Sequence, residues 1–290
     1  MFGPNTYFSD DVKIAYSHRD KRFFDLFEQV RSLFVKKFSL QEYDVLFVPG
    51  TGTVGIEALM YSTKNPIKLI GHDGVFTRRW ECMSKQYPKN VSGPADEMYC
   101  LFETSCSGYF TKDNCFVDAI SAFPYYDIPE GTKAFITCLN KQLGSYVGMS
   151  VVCVRKDLWP NMLDTSIMSY LNLSRYKEYH DENQTPSTAP TFIFEHLYQV
   201  LNDYDLDAIR KKINTVSDLV VDAVGVDNII GEHRAPAITV KPNVIPDEFA
   251  RKHDLYGYWT HKPNLQVFTY SEPIENYEII MQELKSYLGR

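Results

Sequence analysis

Long apolar runs are missing from this chain of 290 residues, and none approaches the roughly 20 residues that a membrane-spanning helix needs. The start Met1-Phe2-Gly3-Pro4-Asn5 also lacks the basic and apolar regions of a signal peptide, so the expected location is the cytoplasm. Positive charge is scarce as well. With 30 Lys and Arg against 37 Asp and Glu, the net charge is −7, and the cations are scattered singly instead of forming the basic face that binds nucleic acid. The 6 cysteines, Cys82, Cys100, Cys106, Cys115, Cys138 and Cys153, include no CxxC pair. Four of them fall in apolar strand-like runs, which reads as buried free thiols and excludes a zinc site or a disulfide frame; no metal is expected. Internal repeats and low-complexity linkers are also lacking. What remains is a chain 44% hydrophobic and 23% charged, enough for one large core with a smaller satellite domain and for the size of an ordinary enzyme.

Apolar periodicity supplies the elements. Ser17-His18-Arg19-Asp20 has the form of a capping box, with Ser17 as the cap and Asp20 near the positive helix end. The helix it predicts carries Phe23, Leu26, Phe27, Val30, Leu33, Phe34 and Phe38 at intervals of three and four. Residues 43–48, 67–70, 98–102, 115–117, 134–139 and 150–154 are nearly continuous apolar runs, as expected for strands buried on both faces. Helical patterns at 53–62 and 77–87 alternate with the first of them, which predicts an α/β fold: a mostly parallel sheet with helical cover, in an N-terminal segment and large domain over 1–191. Beyond Thr191 the texture changes. Helices at 192–201, 206–224 and 277–288 with strands at 237–240 and 265–269 predict a small C-terminal α+β domain over 192–290.

Three strand ends carry chemistry. Val48-Pro49-Gly50-Thr51-Gly52-Thr53 joins a strand to a helix through small residues and hydroxyls, a loop able to cradle a phosphate at a helix N-terminus or simply to turn the chain. No Gly-Lys-Ser/Thr follows, so it is not a Walker loop. Phe116-Val117-Asp118 ends a second run in a carboxylate, suited to a cationic partner such as a protonated pyridine, or to capping a turn. Asn140-Lys141 follows the third run and precedes Gly144 and Gly148, a lysine placed for nucleophilic chemistry or only for solvation.

Taken in order, these segments resemble the class V aminotransferases of the fold type I pyridoxal-phosphate enzymes, especially the alanine–glyoxylate and 2-aminoethylphosphonate branch. The resemblance spans nearly the whole chain, from Gly3-Pro4 and Ser17-His18-Arg19-Asp20 to the C-terminal strand. It implies a pyridoxal 5′-phosphate cofactor whose phosphate is held by Thr51, Gly52 and Thr53, with Phe76 of Asp73-Gly74-Val75-Phe76 stacked on its ring. In Glu103-Thr104-Ser105, Thr104 and Ser105 would reach the ring face and substrate, Asp118 would pair with the pyridine nitrogen, and Asn140 would stand beside the Schiff-base lysine, Lys141. Gln184-Thr185-Pro186-Ser187-Thr188 is similar to the segment that a neighbouring subunit lends to the phosphate, with Thr185 and Thr188 as its ligands, so the resemblance implies a homodimer. Small-molecule amines and 2-oxo acids would be its substrates, and Lys141 would shuttle the proton.

Departures from the family pattern bear on the substrate. Where the family carries an arginine that forks onto a carboxylate, this chain has Gln266, which offers neither charge nor bidentate geometry. Arg19, Arg234 and His18 are the other candidate anion ligands. Only residues 107–114 separate two parallel strands, and 92–97 leaves little room for a helix before Met98, which predicts a thinly covered, apolar sheet face. Two other readings stay open: a lyase or desulfurase on the same fold, using Cys106, and a non-catalytic dimeric descendant.

Overall fold

The computed structural model describes residues 17–89, 94–260 and 262–290. Gly3-Pro4 and residues 92 and 93 of the short segment lie outside them. Helix α1 (Lys21–Lys37) buries the predicted stripe, including Phe23, Phe27, Val30 and Phe34. Its cap differs from the expectation. Asp20 is the N-cap and accepts from Arg22 N at 2.9 Å, while Ser17 Oγ accepts from Arg19 N at 3.1 Å in a preceding turn. An ionised carboxylate at the positive helix end is a stronger acceptor than a hydroxyl there, and it also pairs with the Arg22 guanidinium.

In chain order the strands are β1 (Tyr43–Pro49), β2 (Ile67–Leu69), β3 (Asp96–Cys100), β4 (Phe102–Glu103), β5 (Gly108–Tyr109), β6 (Phe116–Asp118), β7 (Ala134–Cys138), β8 (Met149–Arg155), β9 (Ile229–Ile230), β10 (Ala237–Val240) and β11 (Leu265–Phe268). The helices after α1 are α2 (Gly52–Ser62), α3 (Val75–Ser84), α4 (Leu173–Asp181), α5 (Thr191–Asp203), α6 (Leu206–Val224), α7 (Asp247–Lys252) and α8 (Ile274–Tyr287). The main sheet has 6 strands in the order β1-β8-β7-β6-β3-β2. β2, β3, β6 and β7 pair in parallel, and β8 runs antiparallel to both β7 and β1, so the sheet is mostly parallel.

Both faces of the sheet are covered, which is why its strands read as unbroken apolar runs. On one face, Trp80 of α3, Leu59 of α2 and Tyr176 of α4 pack on Leu46, Phe116, Ile136 and Val152. On the other, Phe27 and Phe34 of α1 and Phe194 of α5 surround Phe47, with Phe27 and Phe194 centroids 5.4 Å apart. Each ring removed from water contributes about 2–3 kcal/mol. Helix α5 thus joins the core of the main sheet, whereas α6 and α8 lie with the antiparallel sheet β11-β10-β9. One apolar core runs from α1 to α8.

Between β3 and β6 the chain forms the two-residue strands β4 and β5 instead of a crossover helix. Aromatic rings do the covering: Tyr99 meets Phe110 at 5.2 Å, Phe102 meets Tyr126 at 5.7 Å and Tyr109 stacks on Tyr126 at 4.6 Å. The predicted bare face is therefore reduced to Tyr109, 37% exposed, among the described large apolar side chains of this stretch. More exposed are Met168 and Tyr170, at 77% and 76%, beside Pro186 and Ser187.

Candidate active site

Strands β6 and β7 end side by side, and the N-termini of α2 and α3 point at the same place, as expected at the carboxyl ends of a parallel sheet. A cleft of about 140 Å³ opens there. It brings together Thr51, Gly52 and Thr53 from α2, Phe76 from α3, Asp118 from β6, and Asn140 and Lys141 from the loop after β7. Close approach explains the glycine: a Cβ on Gly52 would lie 2.6 Å from Ile120 Cδ1. The N-cap Thr51 makes no side-chain capping bond and no acidic residue sits in the first turn of α2, so that positive helix end faces the cleft without a fixed carboxylate.

Lys141 Nζ donates to Ser121 Oγ at 2.6 Å. Gln142 steadies the same loop, donating from Nε2 to Ser121 O at 2.8 Å and accepting from Tyr125 N at 3.0 Å. Asp118 is buried, and burial raises its carboxyl pKa against the opposing effects of hydrogen bonds from Ile120 N and Trp80 and the charge of Lys141. Ser121 and Gln142 fall in the runs that carry Asp118 and Lys141, and Trp80 in the second helical pattern, but the sequence assigns none of the three a role. Trp80 stands one helical turn after Phe76 and Ser121 three residues after Asp118, spacings that place each near a recognised residue once the elements are known.

The other sequence candidates lie outside the cleft lining. Thr104 is buried and its carbonyl accepts from the Gln266 amide, which also donates to Thr239 Oγ1 at 3.1 Å. Ser105 Oγ accepts from Val75 N at 2.9 Å and donates to Glu103 at 2.6 Å. Thr185 is buried and donates to Ser187 O at 2.8 Å, and Thr188 is exposed. Arg19 donates to Gln184 Oε1 at 2.5 Å and lies over the Tyr179 ring, while Arg234 pairs with Asp218. Gln266 is thus a tie between β11 and the turn after β4. Among the described residues no group of His, Cys, Asp and Glu is placed to hold a metal ion.

Glu103 links that turn to the cleft. Its fully buried carboxylate accepts from Phe76 N at 3.1 Å, Thr77 N at 3.0 Å and Thr77 Oγ1 at 3.2 Å at the start of α3, and from Ser105 on its other oxygen. A Cβ on Gly74 would sit 2.1 Å from the Glu103 carboxyl carbon, so only glycine fits there. Exchanging Glu103 for glutamine sets an amide NH₂ against donors and removes the charge from a helix N-terminus, an expected loss of about 2–3 kcal/mol by urea unfolding. An unchanged midpoint would show that these bonds contribute nothing to the cap.

No family model matches the chain, and no curated protein matches it in sequence. Solved structures do. The chain superposes on the aspartate aminotransferase of subgroup IV from Thermus thermophilus with a TM-score of 0.82, 15% identity and coverage of 98% of each chain. It has the aminotransferase fold. An alanine–glyoxylate aminotransferase from Nostoc sp. aligns with a TM-score of 0.77 and 18% identity, over 95% of this chain and 90% of that one. A phosphoserine aminotransferase from Trichomonas vaginalis, bound to pyridoxal phosphate, aligns at 0.75 and 16%, over 93% and 90%. At such identities the likeness is one of fold. The aminotransferase fold agrees with the expected fold type I architecture, and no described helix is long and apolar enough to cross a membrane.

Proposed function

We propose that the protein is a pyridoxal-phosphate-dependent aminotransferase, moving an amino group from an amine donor to a 2-oxo acid. One observation carries the reading: Lys141, Asp118 and the N-terminus of α2 line a single cleft in a chain with the aminotransferase fold. The residues suit the group. The start of α2 and the Thr51 and Thr53 hydroxyls would hold the phosphate, Phe76 would pack on the ring, and the buried Asp118 carboxylate would accept from the ring nitrogen. Pyridoxal phosphate, when bound, supplies an aldehyde for amines and a ring that draws electrons from the bond to be broken. Lys141 would hold the aldehyde carbon covalently and, once released, move the proton at the substrate carbon, with Ser121 Oγ accepting from its amine. Asn140 borders the same space, and Ser105 contributes through the cap, made with Glu103, that fixes the start of α3 at Phe76.

A second copy would complete the phosphate site with its Thr185 and Thr188, making the working form a homodimer. Gln266 is occupied by Thr104 and Thr239, which favours a donor whose acidic group is not gripped by an arginine at that strand position, such as a 2-aminoethylphosphonate-like amine or an unusual amino acid. Transamination is favoured over desulfuration because Cys106 Sγ lies against Glu103 O and burial raises its pKa, away from the reactive thiolate. The experiment is a titration of the purified protein with pyridoxal phosphate, followed by an amine-donor screen with a 2-oxo acid. An absorbance band that forms with the wild type and not with Lys141→Ala, together with amino transfer, is expected. A wild type that at saturating cofactor shows no band beyond that of the free cofactor and of Lys141→Ala is not this enzyme.

A further inference from the structure

Trp80 is 1% exposed, yet its indole borders the cleft and bonds the carboxylate there. Three donors meet Asp118: Ile120 N at 2.9 Å on Oδ1, and on Oδ2 Trp80 Nε1 at 2.7 Å and, more weakly, Cys100 Sγ at 3.5 Å. A carboxylate oxygen offers about two acceptor directions. Oδ2 is therefore filled, and Oδ1 keeps one. The titratable groups that face Asp118 are Lys141 after β7, Cys100 at the end of β3 and Cys138 at the end of β7. Burial raises the pKa of both thiols, so they stay neutral near pH 7, and Lys141 is the cation of the set. A lysine that reacts through its amine does not keep a constant charge. An indole N–H does not titrate and can only donate, so its support of the carboxylate does not vary with the state of the lysine.

We propose that Trp80 is a positioning residue acting through Asp118: its N–H holds Oδ2 and leaves the free acceptor of Oδ1 for the protonated ring nitrogen of the cofactor. The inference rests on the function proposed above. Helix α3 then carries two parts of one device, since Phe76 lies one turn before Trp80 with ring centroids 6.1 Å apart, and Glu103 fixes the start of that helix.

The chain has 3 tryptophans, so its ¹⁵N–¹H spectrum contains few indole peaks, and Trp80→Phe assigns one of them. In cofactor-free protein that peak is expected to move as a carboxyl titrates with falling pH, and to stop moving in Asp118→Asn. Trp80→Phe is expected to weaken pyridoxal phosphate binding about tenfold while the unfolding transition stays cooperative. If Trp80→Phe does not fold, Trp159→Phe and Trp259→Phe assign the peak by elimination and the Asp118→Asn comparison decides. A Trp80 peak indifferent to Asp118→Asn, or unweakened binding by Trp80→Phe, in a protein that does take up the cofactor overturns the role of Trp80 alone. A wild type that takes up none overturns the proposed function, while the coupling of the indole to Asp118 is still read in the same spectra.

Discussion

Replacing Lys141 by alanine is expected to lower kcat/KM for amino transfer by about 1000-fold or more, because it removes both the covalent anchor and the proton carrier. Stability should change little, within about 1 kcal/mol. The turn that presents Lys141 does not depend on its side chain: Gly144 N donates to Lys141 O at 2.9 Å, Gly144 adopts φ 69°, and Gln142 still holds Ser121 O. Lys141→Arg separates charge from chemistry. An arginine keeps a cation near Asp118 and a donor for Ser121 but has no primary amine to bond an aldehyde carbon, so it should be as inactive as alanine. Steady-state assays of both variants alongside urea unfolding check this. Retained turnover in Lys141→Arg would mean that the amine is not the reacting group.

Three of the cleft-lining residues singled out in the sequence share one circumstance. Thr51, Asp118 and Lys141 each stand at or just after the end of a buried strand, and the C-terminal ends of parallel strands converge; the local patterns left each one open, and only their order along the chain, through the resemblance, joined them. Trp80 was invisible because its bond joins α3 to β6 across 38 residues, and nothing in the helix pattern separates a buried tryptophan that only packs from one that also donates. Gln266 was legible as a departure but not as a tie. Its partners depend on the register that sets Thr239 opposite Gln266 and on the turn between β4 and β5 that carries Thr104. Strands of two residues, β4 and β5, are too short to show a period, so the hairpin and aromatic cover that stand in for a crossover helix could not be foreseen. Helix α4 was missed for a related reason. Its buried stripe is Leu173, Tyr176 and His180, and the last of these reads as polar.

Lowering the pH from 6.5 to 5 is expected to remove about 2 kcal/mol of stability through His180 alone. The ring is 1% exposed, packed against Phe27 at 4.7 Å and Tyr176 at 5.8 Å, and neither of its nitrogens has a hydrogen-bond partner among the described residues. Burial, assisted by the nearby Arg31 charge, pushes its pKa down to about 3, from an ordinary value of 6.5. Protons therefore bind the unfolded chain first. The neutral ring's contribution is complete above about pH 6.5, falls by about 1.4 kcal/mol per unit as pH drops through the window, and levels off below about 3, a total of roughly 5 kcal/mol. His180→Leu keeps an apolar side chain in the cluster and has nothing to protonate. Urea unfolding at pH 7 and pH 5 should show the wild type losing about 2 kcal/mol more than the variant between the two, with the variant at least as stable at pH 5. Equal losses would mean that the ring is protonated, or reached by water, in the folded protein.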